Sequence, residues 1–363
     1  MECVEKGGIS LHKPKIEFSP IVEGPSAWVH SDVSQGKDWQ IHLSEEQVLE
    51  IENAASQIKA SGLELATMTK DDFLLPYLSG SIVGWTNELL YGTGFIRIRG
   101  LRVHTKEIRH AATIFLGLGR HIGLPRSQNG KGHLLGHVCN LGFTSDDPNV
   151  RIYQTTERQN YHTDSCDVAA LMCLKAAKHG GESGVVSSMS IYNEMLATCP
   201  DLLIELLQPM YVDRRGEITT DGLAYYRQPI YSWYKGYLSA LYAPHYIRSA
   251  PRLSGVPNLS NSQIKALDIF DNLADDPRFN ITFCLDPGDI LFVHNHTVLH
   301  DRLAYEDWGP GEGRRHLLRL WLAVNGSRPL PDYYSHRFGS TTIGDRGGIR
   351  VPGAKLNVPL EPC

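Results

Sequence analysis

The chain has 363 residues, 42% of them hydrophobic, and a formal net charge of -5. That length allows one large core or two modest ones, and the slightly acidic balance argues against a general nucleic-acid binder, which carries a basic excess. No apolar run reaches the ~18 residues of a membrane helix, and the opening MECVEKGGISLHKPK has no apolar stretch of the kind that marks a secretory signal. Seven cysteines fall at irregular positions with no CxxC pair, so neither a disulfide framework nor a zinc ribbon is indicated. The expectation is a reduced, cytoplasmic protein without a membrane or nucleic-acid partner.

In chain order, residues 1 to about 43 carry Pro, Gly and Ser with little periodicity and read as an irregular arm. LSEEQVLEIENAASQIKA predicts a helix over 43–60: Ser44 can cap, two acids sit in the first turn, and Val48, Ile51, Ala55 and Ile58 form a stripe. A second, broken helix follows and ends near Gly92. GFIRIRGL (94–101) alternates like a strand, and 105–123 is again helical. Beyond residue 150 the texture changes to short strands: VRIYQT, AALMCLKAA, GVVSSM, YLSALY, NITFCL, DILFVHN and RHLLRLWLAV. Gly180-Gly181, Pro287-Gly288 and the glycines at 309–313 punctuate them, and helical patterns interrupt near 190–208 and 261–274. Many short strands with turn signals predict a sandwich or barrel, not a βαβ sheet. The fold class is therefore mainly β with flanking helices. No linker divides the chain, which is read as one domain: decoration over 1–90, a core over 91–325 and a C-terminal extension over 326–363.

The stretch NYHTDSCD (160–167) sets an imidazole, two carboxylates and a thiol within eight positions. On a strand, His162 and Asp164 would point to one side, because side chains alternate. DPGDILFVHNHTVLHDR (286–302) supplies His294, His296 and His300, all at even positions. Two histidines and one carboxylate on one face of an iron leave positions open for a cosubstrate and dioxygen. Cys166 shares parity with Asp164, but a thiolate would fill an open position, so it is read as a small buried residue. Asp167 has the opposite parity and is expected to cap or pair locally. In GRRHLLRLWLAV (313–324), Arg315, Leu317, Arg319 and Trp321 share one face of a strand. Arginines pointing into an apolar interior are costly unless they meet anions, and the guanidinium fork suits a carboxylate. An internal Asp or Glu could equally serve.

The order YHTD…GGES…H…RRHLLR resembles the taurine dioxygenase/TfdA-like family of Fe(II)- and 2-oxoglutarate-dependent dioxygenases, over roughly residues 90–325. The resemblance implies a double-stranded β-helix (jelly-roll) core. It makes His162, Asp164 and His300 the iron ligands; the two-residue offset, which would preserve the face, keeps His296 as the alternative to His300, and His294 reads as a strand-end residue. It places Asn295 at the Asn usual upstream of the distal histidine. It assigns Ser183 and Arg315 to the C5 carboxylate of 2-oxoglutarate, and Arg319 to an acid group of the substrate. Tyr161 stands where some relatives have Trp, and Arg315 lies at the long end of the usual spacing from His300.

The implied activity is that of a dioxygenase using Fe(II), 2-oxoglutarate and O2 to oxidise an unactivated C–H bond of a small organic acid, by hydroxylation, desaturation or cyclisation. Two other classes compete: a zinc jelly-roll isomerase or hydrolase, which has no need of Arg315 and Ser183, and a non-catalytic binding protein, which has no need of a metal triad. The aromatic-rich YYRQPIYSWYKGYLSALY (225–242) reads either as a pocket wall or as a packed barrel face.

Overall fold

In the computed structural model, which describes residues 20–35, 38–103, 107–144, 150–216, 223–309, 313–351 and 353–362, two antiparallel sheets face each other across an apolar interior. Nine strands build them: β1 (Phe95–Arg99), β2 (Gly136–Val138), β3 (Gln159–His162), β4 (Val168–Lys175), β5 (Ser183–Ser187), β6 (Asn280–Phe283), β7 (Ile290–His294), β8 (Val298–Arg302) and β9 (His316–Ala323). The larger sheet runs β1-β7-β4-β9-β2. The smaller runs β6-β5-β8-β3. From β2 to β5, and again from β6 to β9, each successive strand crosses to the other sheet, which is the jelly-roll winding. Two short strands extend the larger sheet: Gln40–His42, parallel to β1, and Leu124–Pro125 beside β9.

The pleat explains the composition of β9. Leu317 points inward with Val138, Val185, Leu291 and Val298. Leu318, Leu320 and Leu322 point outward, under the helices Glu45–Ser61, Ser79–Tyr91 and Ile108–Ile122. A strand covered on both faces has to be apolar almost throughout. Each outward leucine contributes about 1.5–3 kcal/mol by leaving water, so truncating Leu320 to alanine would cost about 2–5 kcal/mol. The helix Glu45–Ser61 begins where Ser44 accepts from the Gln47 amide at 3.3 Å and stops at Gly62 in the left-handed region. Its stripe of Val48, Ile51, Ala55 and Ile58 is buried. Helices Ser188–Thr198, Pro200–Leu206 and Asn261–Asp275 cover the outer face of the smaller sheet around Val186 and Leu299.

Several expectations need correction. VRIYQT is not a strand: Ile152–Gln154 is a single 3-10 turn. The broken helix starts only at Ser79. YLSALY forms a hairpin with Tyr231–Tyr234 outside both sheets, because its apolar side faces helices and not the opposite sheet. Residues 1–19 of the irregular arm lie outside the described residues, and Gln40–His42 joins the larger sheet. Among the described residues no helix is long and apolar enough to cross a membrane.

Candidate metal centre

The strand β3 ends at His162, and Asp164 stands in the loop that follows. Strand alternation therefore does not align the two; the turn of the chain does. His300 sits directly opposite His162 in the β8–β3 ladder, and the two rings lie 4.3 Å apart. The His300 Nε2 is 3.8 Å from Asp164 Oδ2. One ligand atom from each of His162, Asp164 and His300 falls within 4.8 Å of the others. The His162 Nδ1 lies 2.9 Å from the Asn160 carbonyl, so Nδ1 carries the proton and Nε2 presents its lone pair. The Gln159 amide donates to that lone pair at 2.9 Å.

The three even-numbered histidines do not share a strand. β7 ends at His294, the chain turns through Asn295–Thr297, and β8 begins at Val298. Asn295 uses the turn to accept the Asp164 amide at 2.9 Å, which fixes the backbone that carries the carboxylate. His296 points elsewhere: its Nε2 is 2.9 Å from Asp167. Asp167 does not pair locally; it also accepts from Arg346 at 2.8 Å and from the Val324 amide at 3.0 Å. Cys166 is fully buried, and Asn295 donates to its sulfur at 3.2 Å.

The donor set suits a divalent cation. Asp164 Oδ2 and His300 Nδ1 are buried without a hydrogen-bond partner among the described residues, and a buried polar atom without a partner is costly. Burial alone would raise the Asp164 carboxyl, but Arg319 leads the groups that hold it below the ordinary carboxylate range. Burial pushes His300 down to about 3, so its imidazole is neutral and able to ligate. Two imidazoles and a carboxylate on one side of an ion form the facial triad of non-haem iron oxygenases.

Beside the triad, a small cavity of about 30 Å³ is lined by His162, Ser183, His300, Arg302, Arg315 and Arg319. The turn Gly180-Gly181 lies in the left-handed region, and a β-carbon on Gly181 would come within 2.9 Å of Arg315 Nε. Glycine thus lets the Arg315 side chain pass, and its Nη2 donates to the Gly181 carbonyl at 3.2 Å. Burial pushes Arg315 below the usual guanidinium range and Arg302 down to about 10. Arg302 was not singled out by the sequence reading. Its signal was parity, since it lies two residues beyond His300 on one strand and so faces the same interior.

On the other side opens a cleft of about 380 Å³. Arg319 borders both spaces, between the Tyr153 and Trp321 rings, with Cζ 4.8 and 4.9 Å from their centroids. It does have an internal carboxylate: Nη1 is 3.5 Å from Asp164 Oδ1, while Nε donates to Gln128 at 2.7 Å. Of the aromatic run, Tyr226 reaches the cleft, whereas Tyr231 and Tyr242 are packed in the core around Phe270. The C-terminal extension contributes Arg337 and Ile349 to the cleft, which no motif signalled.

Residues 59–321 match the family described as "Taurine catabolism dioxygenase TauD, TfdA family". The chain is 32% identical over 326 residues to the FR-33289 synthase of Streptomyces rubellomurinus, covering 88% of this chain and 95% of that one. It is 28% identical over 184 residues to a uridine-5'-phosphate dioxygenase of an Amycolatopsis species, covering 47% of this chain and 63% of that one. Among solved structures, the non-haem iron oxygenase OrfP in complex with Fe and alpha-ketoglutaric acid superposes with a TM-score of 0.60 at 14% identity, over 78% of this chain and 93% of that one.

Proposed function

The chain belongs to the TauD/TfdA family and is a non-haem Fe(II), 2-oxoglutarate-dependent dioxygenase, and from that premise we propose which residues carry the reaction. His162, Asp164 and His300 hold the iron. Ser183 and Arg315 hold the distal carboxylate of 2-oxoglutarate, and Arg319 meets an acid group on a small organic substrate. The observation that carries this reading is the convergence of the three ligand atoms within 4.8 Å, between an arginine-lined cavity and an open cleft. With iron bound, the centre supplies dioxygen activation coupled to decarboxylation of 2-oxoglutarate to succinate, and so the oxidation of a substrate C–H bond. The chain's own residues set the geometry. The Asn160 carbonyl fixes the His162 tautomer, Asn295 fixes the Asp164 backbone, and the Tyr153 and Trp321 rings flank Arg319.

The acid group rests on charge. Lys131, Arg151, Arg215, Arg319 and Arg337 line the cleft, and among the described lining residues Asp164 is the single carboxylate. Once Asp164 is committed to a divalent cation, it no longer balances Arg319, and an unbalanced buried guanidinium is expensive. An anionic substrate would supply the missing charge. The relative acting on uridine 5'-phosphate is one that takes an acid by name. The test is a screen of small acids against their neutral amides, read as succinate released, together with Arg319→Gln. Acids should stimulate turnover and amides should not. Arg319→Gln should keep its melting temperature and 2-oxoglutarate affinity but lose at least about tenfold of the stimulation, the cost of one charge-assisted contact. Equal stimulation by amides, or an unchanged variant, rejects the acid subsite.

A further inference from the structure

We propose that Arg302 is a second anchor for the distal carboxylate of the cosubstrate, so that the carboxylate is gripped by two guanidinium groups from neighbouring turns of the jelly roll. The proposal rests on the reading of the small cavity given above and adds a residue to it.

Arg302 and Arg315 are 5% and 3% exposed. Among the described residues neither guanidinium lies within ion-pair distance of a carboxylate. The preceding residue, Asp301, also lines the cavity, but its carboxylate is held by Arg158 at 2.9 Å and makes no ion pair with Arg302 or Arg315. Arg302 gives Nη2 to the Glu157 carbonyl, and Arg315 gives Nη2 to the Gly181 carbonyl. Among the described residues, Arg302 Nε and Nη1 and Arg315 Nη1 are then left buried without a partner. The two guanidiniums share the ring of Tyr305, with Cζ 4.9 and 5.1 Å from its centroid. Ser183 stands opposite Arg302 in the β8–β5 ladder.

Two like charges held out of water beside one another, with three nitrogens bare, demand an anion. A carboxylate fits, because its two oxygens accept about four hydrogen bonds in a plane. The cavity's size agrees, since about 30 Å³ admits the end of a chain and not a whole cosubstrate. Gln159, His162 and Arg319 border both this cavity and the cleft, so a chain anchored here would lead toward the triad.

The experiment compares 2-oxoglutarate with 2-oxopentanoate, which has the same length but a methyl in place of the distal carboxylate. Binding to the Fe(II)-loaded protein is measured by calorimetry under argon, so no turnover is needed. Wild type should prefer 2-oxoglutarate. Arg302→Gln should bind 2-oxoglutarate at least about tenfold more weakly and 2-oxopentanoate unchanged, with Arg302→Lys in between. The ligand-free Arg302→Gln protein should melt no lower than wild type, because a buried unpaired charge has gone. Unchanged 2-oxoglutarate binding, or equal weakening of both acids, overturns the proposal. Arg315→Leu separates the two readings. If it loses the preference while Arg302→Gln keeps it, the second anchor falls alone. If wild type shows no preference, the assignment of the cavity falls and the second anchor with it.

Discussion

Two buried aspartates, Asp164 and Asp167, belong to the same short stretch, and each has a histidine and an arginine beside it. Around Asp167 the contacts are closed: His296 at 2.9 Å, Arg346 at 2.8 Å and the Val324 amide at 3.0 Å. Around Asp164 they are open: His300 stands at 3.8 Å, Arg319 at 3.5 Å, and Oδ2 has no hydrogen bond among the described residues. The same three residue types thus make a finished structural joint in one place and an unfinished one in the other. A satisfied buried network rigidifies its surroundings, whereas an unsatisfied one marks a place completed by a ligand.

The largest expected effect tests that division. His162→Ala, Asp164→Ala and His300→Ala should each abolish 2-oxoglutarate turnover. Anaerobic Fe(II) affinity should fall by more than the roughly 10–100-fold expected for a residue standing behind a ligand. His296→Ala should still bind Fe(II) within about tenfold of wild type, the low end of that range. A dead, iron-free His296→Ala beside an active His300→Ala would exchange the two roles.

The next effect is on stability and runs the other way. Removing Asp167 strands Arg346 in a fully buried position, and breaking a buried ion pair from one side costs about 3–5 kcal/mol. Asp167→Ala should therefore show a clearly lower denaturant midpoint. Metal-free Asp164→Ala should lose less, because the contacts it breaks are longer, with Arg319 at 3.5 Å and His300 at 3.8 Å, and Arg319 borders the open cleft whereas Arg346 is fully buried. Similar losses at both positions would mean that both joints are structural.

Much of this was legible from the chain. The alternation of β9 put Leu318, Leu320 and Leu322 on one face and Arg315 and Arg319 on the other, and the structure has them so. Periodicity reads locally and succeeds where one strand decides the outcome. It failed at NYHTDSCD, because the strand stops at His162 and the loop geometry depends on Asn295, far away in sequence. It failed again at His294, His296 and His300, where a turn hidden inside an even spacing breaks the parity. Arg337 and Arg346 come from a Gly-rich tail without periodicity, and only long-range packing brings them to Ser165 and Asp167. Whether an aspartate is closed or open is a property of such distant partners.

The smallest effect concerns protons and decides how the closed joint is charged. Asp167 already has Arg346, so it needs no second cation. A neutral His296 donates from Nε2 to Asp167 and leaves Nδ1 as a bare lone pair, consistent with Nδ1 having no partner among the described residues. An imidazolium would leave a buried N–H unpaired there, which costs more. Burial accordingly pushes His296 down to about 4 from an ordinary 6.5. The sign follows. In the unfolded chain this histidine takes a proton below about pH 6.5, whereas the folded one refuses it down to about 4. Its contribution to stability is complete above 6.5 and is lost as pH falls toward 4, at up to about 1.4 kcal/mol per pH unit. His296→Asn should flatten the stability profile of the metal-free protein between pH 6.5 and 4 by close to one proton, measured by denaturant midpoints across that range. Were His296 an imidazolium held by Asp167, its folded pKa would lie above 6.5. The wild-type slope between 6.5 and 4 would then owe nothing to it, and the substitution would leave that slope unchanged.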